Sequence, residues 1–349
     1  MDEVVDGVDP AVLTAWMRER ELVTGAGPVR VSRISGGHSN LTFRVTDDAG
    51  TAWALRRPPT GGVLATAHDM SREWRFISTL APTPVPVPEP VAYCDDADVV
   101  GAEFYLMGFV DGVVPGDPES GETLPRQIRR ACGLDVADVL AELHAVDPDQ
   151  VGLGDLQRPG SYLERQLRRW HRQVHESAVE DLSAVDEAHR LLTERMPSAR
   201  GGGNTETRIA HGDYRPGNLS FGADGRIAAI FDWELATLGE PLADLGWVLA
   251  SWARPGDTQR AITLGPTAAD GWPERDEVAQ RYAERSGRDL SELPYFLAFA
   301  RWRSACIGAG VYTRYKRGNM GEGAEFGPEL ERRAEQVVTE AEAALAALS

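Results

Sequence analysis

The chain has 349 residues, of which 42% are hydrophobic and 26% charged, and its formal net charge is −18. This composition is typical of a soluble globular protein, and the length allows two domains or lobes. So acidic a surface repels phosphate backbones and argues against a nucleic-acid partner. The apolar runs are shorter than the roughly 18 residues that a membrane span needs, so we expect no membrane partner.

The cysteine pattern and the first residues bear on location. Cys94, Cys132 and Cys306 lie far apart and form no CxxC pair, which argues against a zinc site or a disulfide framework. The acidic start, "MDEVVDGVDP", does not resemble a signal peptide. We therefore predict a protein of the reducing cytoplasm.

The first part of the chain predicts a small sheet. An amphipathic pattern over residues 9–22 indicates a helix, with Asp9 as its N-cap and Pro10 in its first turn. The alternation of apolar and polar residues that follows predicts a mostly antiparallel sheet with one main helix. The predicted order is strands at 29–34, 41–47 and 51–57, a helix at 67–80, and strands at 91–94 and 103–110.

The remainder of the chain is predicted to be mainly helical. Apolar residues recur at helical spacing in several long stretches. Helices are expected at 125–147, 161–178, 182–196 and through most of 241–348. The Pro- and Gly-rich residues 115–125, "PGDPESGETLP", predict a surface or connecting loop.

"HGDYRPGN", residues 211–218, places Asp213 five residues before Asn218 between two short apolar runs. Taken alone, such residues favour a turn. Other features in the chain follow the order that phosphoryl transfer uses in protein kinases: a small-residue turn, a cation on a strand, a helix glutamate, this loop and a strand-end aspartate. They are "ISGGHSN" (34–40), Arg56 on the third strand, Glu73 in the following helix, the 211–218 loop and Asp232 after "AAIF".

From about residue 30 to 330, the sequence resembles the aminoglycoside phosphotransferase or choline kinase-like family. The stretches "LRRPP", "REW", "FYLMGFVDG", "HGDYRPGNL" and "FDWELATLGEPLADLGW" are similar to its subgroup associated with acyl-CoA dehydrogenases. The resemblance implies an α+β, two-lobed protein-kinase-like fold, with a small antiparallel-sheet N-lobe and a larger, mainly helical C-lobe. Residues 1–109 would be the nucleotide-binding lobe and 110–349 the catalytic and substrate-binding lobe.

The same resemblance implies roles for the residues of the catalytic loop and its surroundings. Asp213 would orient and deprotonate the acceptor hydroxyl, and His211 would brace the loop by hydrogen bonds rather than carry protons. Asn218 and Asp232 would hold magnesium, which prefers oxygen ligands. Asp244 would support the loop from a helix, although an ordinary helix-face aspartate is an equal alternative.

The resemblance also implies a nucleotide site in the first lobe. The inter-lobe hinge would be residues 107–109, although an ordinary buried strand end is the alternative there. The candidate nucleotide-binding residues are Ser35, Gly36, Gly37, His38, Ser39, Asn40, Arg56, Glu73, Met107, Gly108 and Phe109.

Arg56 departs from the family pattern, which usually has lysine at this position. Arginine has the same charge but is planar and forked, so the exchange is not automatically neutral. In one account Arg56 does the work of the lysine, because the subgroup commonly has "LR" here and this chain has 35 arginines and one lysine. In the other, the nucleotide geometry is altered and turnover is slow or lost.

The sequence therefore predicts an ATP- or GTP-dependent, magnesium-dependent phosphotransferase with Asp213 as base. Its acceptor would be a hydroxyl of a small molecule, either aminoglycoside-like or hydroxyacyl-type. The alternative is a catalytically quiet nucleotide-binding pseudokinase. The sequence does not indicate an oligomeric state.

Overall fold

The computed structural model describes residues 5–34, 40–59, 69–197, 207–254, 265–317 and 328–348. The predicted glycine-rich turn at 35–39 lies outside these residues. The chain divides into two compact units, which we call the first and the second unit. The first unit is Met1–Asp111 with Ala228–Glu234, and the second is Gly112–Ile227 with Leu235–Ser349.

The first unit has the predicted order of strands around one main helix. A short extra helix, α3, lies in the acidic turn between the last two strands, where Asp96 caps its start. Four residues are too few for a helical period to show in the sequence. The elements are α1 (Pro10–Glu19), β1 (Arg30–Ile34), β2 (Leu41–Thr46), β3 (Ala52–Arg57), α2 (Met70–Leu80), β4 (Pro90–Cys94), α3 (Ala97–Val100) and β5 (Phe104–Gly108).

The five strands form one antiparallel sheet in the order β1-β2-β3-β5-β4, with β3 at its centre. Leu55 pairs with Phe43 on one side and with Leu106 on the other, and all three belong to the hydrophobic core of this unit. Arg56 pairs with Tyr105. Because neighbours along a strand alternate, Arg56 and Tyr105 lie on the face opposite this core.

Arg57 occupies the core face, as the alternation predicts. Its side chain is fully buried over the ring of Phe43 and donates to the carbonyl oxygen of Asp6. The two successive arginines therefore have different surroundings, and only Arg56 is placed for the candidate site described below.

The second unit is mainly helical, which confirms the predicted fold class. β6 pairs with β9 in a short antiparallel ladder, and β8 leads from the second unit into the 228–234 segment of the first. The elements are α4 (Pro118–Thr123), α5 (Arg126–Ala145), α6 (Tyr162–His175), α7 (Ser183–Glu194), β6 (Arg208–Ala210), β7 (Leu219–Phe221), β8 (Ile227–Ile230), β9 (Thr237–Gly239), α8 (Pro241–Ser251), α9 (Arg275–Ser286), α10 (Leu293–Lys316) and α11 (Pro328–Leu348). None of the described helices is long and apolar enough to cross a bilayer.

The loop predicted at 115–125 contains α4, so that prediction was wrong in part. The Asp117 carboxylate accepts from the Ser120 N–H at 2.8 Å, and Pro118 occupies the first turn. This local capping satisfies the start of a short helix despite the Pro and Gly content.

α10 is the central helix of the second unit's core. Trp302 on this helix is fully buried, and its indole N–H donates to the carbonyl of Val185 in α7 at 3.0 Å. α8 also packs closely on α10, because a Cβ added at Gly246 would lie 2.6 Å from the carbonyl oxygen of Phe296. The absence of a side chain at Gly246 is therefore what permits this approach.

We predict that Gly246→Ala destabilises the protein by about 1–3 kcal/mol, since the added methyl meets backbone and not a movable side chain. Gly310→Ala, on α10, is the matched control. A Cβ there meets nothing within 4 Å, so better helix propensity should stabilise by about 0.5–1 kcal/mol. Denaturant unfolding of both variants checks the prediction, and equal effects of the two would contradict it.

Candidate active site

The candidate site in the first unit is built around the guanidinium of Arg56. Its Nε donates to Glu73 Oε2 at 2.8 Å, and its Nη2 donates to Asp232 Oδ1 at 2.5 Å. The Arg56 side chain is 11% exposed, and that of Glu73 is not exposed at all. The predicted pairing of Glu73 with Arg56 is therefore present, and one arginine binds two carboxylates from distant parts of the sequence.

The Glu73 carboxylate accepts two further hydrogen bonds. Tyr105 donates its hydroxyl to Oε2 at 2.9 Å, and the Asn40 amide nitrogen donates to Oε1 at 2.7 Å. Asn40 also donates to Glu234 Oε2 at 3.4 Å. A buried carboxylate needs such donors to offset its lost hydration. Asn40, predicted to bind nucleotide, is thus a brace for Glu73.

The ionisation of this cluster follows from its burial and charge. Burial alone would lower the pKa of Arg56, but the negative charge of Glu73 and the groups beside it raises that pKa above its ordinary value. Burial raises the pKa of Glu73, and the Arg56 cation opposes this shift. Arg56 is therefore a permanent cation among acidic groups.

Asp232 has a left-handed backbone, with φ of 65°. Among non-glycine residues, aspartate and asparagine adopt this conformation most readily, and it occurs often at functional sites. The next residue, Trp233, is fully buried, and its ring stacks on Phe76 of α2 at 6.0 Å. Packing of Trp233 thus anchors the turn that carries Asp232.

The second unit contains the predicted catalytic loop, which one buried aspartate holds by its backbone. Asp244 on α8 accepts from the N–H of His211 at 2.6 Å and from that of Gly212 at 2.8 Å. Gly212 has φ of 82°, and a Cβ there would lie 2.7 Å from the Leu235 carbonyl oxygen. The loop therefore requires glycine at this position, and Asp244 makes the supporting contact that the resemblance implied.

The electrostatics of this support are set by a buried His144–Asp244 pair, whose Nε2 and Oδ2 atoms are 3.4 Å apart. Burial would raise the pKa of Asp244, but the hydrogen bonds from His144 and from the loop backbone hold it below its usual range. Burial lowers the pKa of His144. The two side chains thus form a neutral imidazole beside a carboxylate.

Asp213 is held by side chains from its own loop and from α8. The indole N–H of Trp247 donates to Oδ1 at 2.7 Å, and the Asn218 amide nitrogen donates to Oδ2 at 2.8 Å. Arg215 Nε lies 3.3 Å from the same Oδ2. The Asp213 side chain remains 19% exposed. The carboxylate is therefore fixed in orientation while still reachable from solvent.

His211 is fully buried, and its Nδ1 accepts from the backbone N–H of Asp213 at 3.2 Å. The opposite side of the loop is held by Arg303 of α10, which donates to the Gly212 carbonyl at 2.6 Å. The Arg303 guanidinium also lies over the ring of Trp247, 4.4 Å from its centroid. These contacts give His211 a bracing geometry.

The predicted hinge residues lie at the end of β5. The N–H of Gly108 donates to the Glu89 carbonyl at 2.8 Å, and that of Phe109 to the Ala52 carbonyl at 3.3 Å. Met107 is buried, and Arg44 lies over the Phe109 ring. These two N–H groups therefore already donate within the unit.

Sequence reasoning missed four residues that the structure brings to these clusters: Tyr105, Glu234, Trp247 and Arg303. A signal existed for Tyr105, since the predicted alternation of β5 gives it the face of Arg56. Glu234 stands in the same "FDWE" stretch as Asp232. Trp247 and Arg303 reach the loop from two helices, and no spacing in the sequence indicates this.

The donors present fit a magnesium ion, the metal that the sequence resemblance implies. Glu73, Asp232 and Glu234 each offer a carboxylate oxygen, and these oxygens lie within 4.8 Å of one another. In the second unit, Asn218 uses its amide nitrogen for Asp213, which directs its ligand capacity to the amide oxygen. Carboxylate and amide oxygens are the ligands that a hard cation prefers.

The second unit also contains an open cavity of about 510 Å³ beside the start of α6. Three carboxylates (Glu164, Glu194 and Glu240) and one cation, Arg165, line it. Burial raises the pKa of Glu240. Two other acids of this unit, Glu180 and Asp181, are engaged elsewhere: Glu180 pairs with Lys316 and Asp181 accepts from Ser183.

Comparison with known proteins places the chain in a family. Residues 30–299 match the model of the phosphotransferase enzyme family. A solved Ralstonia eutropha protein assigned as an aminoglycoside phosphotransferase is 33% identical, with a TM-score of 0.77, covering 97% of this chain and 98% of its own. The acyl-CoA dehydrogenase family member 11 of Gallus gallus is 34% identical over 84% of this chain, and a probable acyl-CoA dehydrogenase, IBR3, of Arabidopsis thaliana is 31% identical over 86%.

These curated relatives are longer proteins, of which the matched region is 38% in each case. More distant solved structures share the fold. The GDP complex of aminoglycoside 2'-phosphotransferase-IIIa has a TM-score of 0.61 at 14% identity and covers 96% of this chain and 99% of that one. A type I macrolide 2'-phosphotransferase has a TM-score of 0.60 at 19% identity, covering 96% and 98%.

The chain therefore belongs to the phosphotransferase enzyme family and has the protein-kinase-like fold of the aminoglycoside phosphotransferases. This membership identifies it as a small-molecule kinase. The predicted family, fold class and general activity are confirmed.

We predict that Arg56→Met lowers the free energy of unfolding by about 3–5 kcal/mol, because it leaves Glu73 buried without its cation. Replacing both residues, Arg56→Met with Glu73→Met, should recover only part of the loss, because Tyr105 and Asn40 then lose Glu73 as an acceptor. Arg33→Met is the control: its side chain is 48% exposed and pairs with Asp6, so it should cost at most about 1 kcal/mol. Unfolding curves check this, and an Arg56→Met loss no larger than the control's would contradict it.

Proposed function

We propose that the protein transfers the γ-phosphoryl group of ATP or GTP to a hydroxyl of a small molecule, with Asp213 as the catalytic base. The observation that carries this proposal is the Asp213 carboxylate, fixed by Trp247, Asn218 and Arg215 yet partly exposed. Phosphoryl transfer depends mainly on positioning and electrostatics, so a rigidly oriented carboxylate is the group it requires.

In this proposal Asp213 orients the acceptor hydroxyl and accepts its proton as the acceptor oxygen bonds to the γ-phosphorus. The bond from that phosphorus to the bridging oxygen breaks at the same time, and the nucleoside diphosphate leaves. His211 and Asp244 hold the loop in place, since their contacts fix its backbone. Asn218 holds the Asp213 carboxylate through its amide nitrogen. The loop thus supplies an aligned base, and Asp213 is the one group of the loop that gains a proton in this proposal.

We assign nucleotide binding to residues 1–109 and catalysis with acceptor binding to 110–349. Arg56 would attract the nucleotide phosphates, and Glu73 would position Arg56. The backbone of residues 107–109 would bind the adenine or guanine ring. The described contacts around Glu73 support its part of this assignment. The small-residue turn formed by Ser35, Gly36, Gly37, His38 and Ser39 is proposed as the phosphate flap on sequence alone.

Asn218 and Asp232 are proposed as the magnesium ligands. Bound magnesium would neutralise phosphate charge and bridge phosphoryl oxygens. Asp232 binds Arg56 in this structure, so its carboxylate is already oriented by a cation. The same pairing also supports the second candidate function, a pseudokinase. In it, Arg56 would keep the Asp232 carboxylate engaged so that it does not bind metal. Retention of Asp213, Asn218 and Asp232 together favours the enzyme.

Two classes of acceptor remain in this proposal, and different observations support them. The three carboxylates of the second-unit cavity favour an amine-bearing, aminoglycoside-like molecule. The similarity to acyl-CoA dehydrogenase family proteins favours a hydroxyacyl-type acceptor.

The cysteines bear on the location that we propose for the protein. Cys94, Cys132 and Cys306 are buried and free, which supports the proposed cytoplasmic location.

We predict that Asp213→Asn lowers nucleotide turnover by about 10²–10⁴-fold while nucleotide affinity stays within a few-fold, because the substitution removes only the base. Asp232→Asn should instead abolish the magnesium dependence of binding. Asp224→Asn, in an exposed turn after β7, is the control and should change neither hydrolysis nor the magnesium dependence. Slow hydrolysis without acceptor, with equilibrium nucleotide binding at varied magnesium, provides the measurement.

If Asp213→Asn hydrolyses nucleotide as fast as the parent does, Asp213 is not the base. Unchanged magnesium dependence in Asp232→Asn would remove that residue from the metal site. A parent protein that binds nucleotide but never turns it over, with or without acceptor, would favour the pseudokinase.

A further inference from the structure

A second group of metal-binding side chains lies in the second unit and plays no part in the proposed reaction. His171 and His175 are four residues apart on α6, which places them on one face of that helix. Asp186 lies on α7. We call these three residues the α6–α7 triad.

The ligand atoms of the triad converge. His171 Nε2 and His175 Nε2 are 3.2 Å apart, and they lie 3.0 Å and 2.8 Å from the same oxygen, Asp186 Oδ1. Three atoms so spaced have a circumradius of about 1.7 Å, which is less than the Zn–N distance of about 2.0–2.1 Å. A point therefore exists at bonding distance from all three without any movement of the helices.

We propose that the α6–α7 triad binds one divalent transition-metal ion, such as zinc, and thereby links α6 to α7. The triad supplies two imidazoles and one carboxylate, with solvent at the remaining position. Imidazole ligands favour zinc, cobalt and nickel over magnesium. This site is therefore distinct in its chemistry from the oxygen-rich magnesium site of the proposed function.

The surroundings hold the triad in place. The ring of His189 on α7 stacks on that of His171, with centroids 3.9 Å apart and planes at 17°. His189 in turn packs near the buried Trp302, at 5.6 Å. Because His171 is held from one side by a ring on the partner helix, its Nε2 keeps its direction towards Asp186.

The triad is also open to an entering ion. The side chains of His171, His175 and Asp186 are 33%, 45% and 45% exposed. Without metal, both imidazoles can donate an Nε2–H to Asp186. On binding, each proton moves through solvent to Nδ1, and the Nε2 lone pair bonds to the metal. No other reactant is needed.

The test uses the full chain, freed of metal, titrated with Co²⁺ and then with competing Zn²⁺. We expect one Co²⁺ per chain, with visible ligand-field absorption and no thiolate charge-transfer band, and displacement by Zn²⁺ but not by millimolar Mg²⁺. His175→Ala and Asp186→Asn should each weaken binding by more than about 100-fold, since even outer-shell changes cost up to that much.

One variant serves as a control that leaves the triad and its surroundings in place. Glu187→Gln removes the next carboxylate along α7, which pairs with Arg190 instead, and it should bind one Co²⁺ per chain as tightly as the parent does. His189→Gln keeps all three proposed ligands but removes the ring that holds His171, so it should bind one Co²⁺ more weakly than the parent. Circular dichroism of each variant verifies that the helices are retained.

A second readout does not depend on spectroscopy. Zinc should raise the melting temperature of the parent and of Glu187→Gln, and not that of Asp186→Asn, because the ion binds only the folded arrangement. The proposal is overturned if the parent binds no Co²⁺, if His175→Ala and Asp186→Asn bind as the parent does, or if a thiolate band appears. None of these outcomes bears on nucleotide turnover, so the test is independent of the proposed function.

Discussion

The ion pair of Arg56 with Glu73 and Asp232 is the interaction on which the site in the first unit depends. Arg56 comes from the central strand, Glu73 from the main helix, and Asp232 from a segment 176 residues after Arg56. A buried charge is tolerated only when it is paired and hydrogen-bonded. The cluster therefore joins three separate parts of this unit, and its energetic cost is met by Tyr105 and Asn40 as additional donors.

In the second unit, a buried aspartate holds the loop that carries Asp213. The Asp244 carboxylate accepts from two backbone N–H groups of the predicted catalytic loop, so one side chain on α8 holds the main chain of that loop. Trp247, three residues later on the same helix, fixes the Asp213 carboxylate. One turn of α8 thus positions both the backbone of the loop and the carboxylate that we propose as the base. An aspartate needs such fixed donors if it is to face a hydroxyl at a constant angle.

The sequence predicted the elements better than their contacts. Alternation along β1, β2 and β3 predicted the sheet and the separate surroundings of Arg56 and Arg57, because a period of two is a local property. The spacing of Asp213 and Asn218 predicted the loop for the same reason. The contacts of Trp247 and Arg303 with the loop were not predicted, because they arise from the packing of helices that are distant in the sequence. The sequence did not indicate that Asn40 donates to Glu73, because an asparagine just before a strand is equally typical of a phosphate-binding loop. It did not predict α4 either, because the Pro and Gly content of that stretch favours a loop and the stabilising cap at Asp117 is a single residue.

The central proposal is that Arg56 supports phosphoryl transfer in place of lysine. Transfer of labelled γ-phosphate from ATP and GTP, with magnesium, to aminoglycosides, macrolides, choline-like amines and hydroxyacyl compounds tests this most directly. We expect a labelled product with one acceptor class, made by the parent and lost in folded Arg56→Met. Labelled product formed by Arg56→Met as fast as by the parent, or no labelled product from the parent with any of these acceptors, would contradict the role of Arg56.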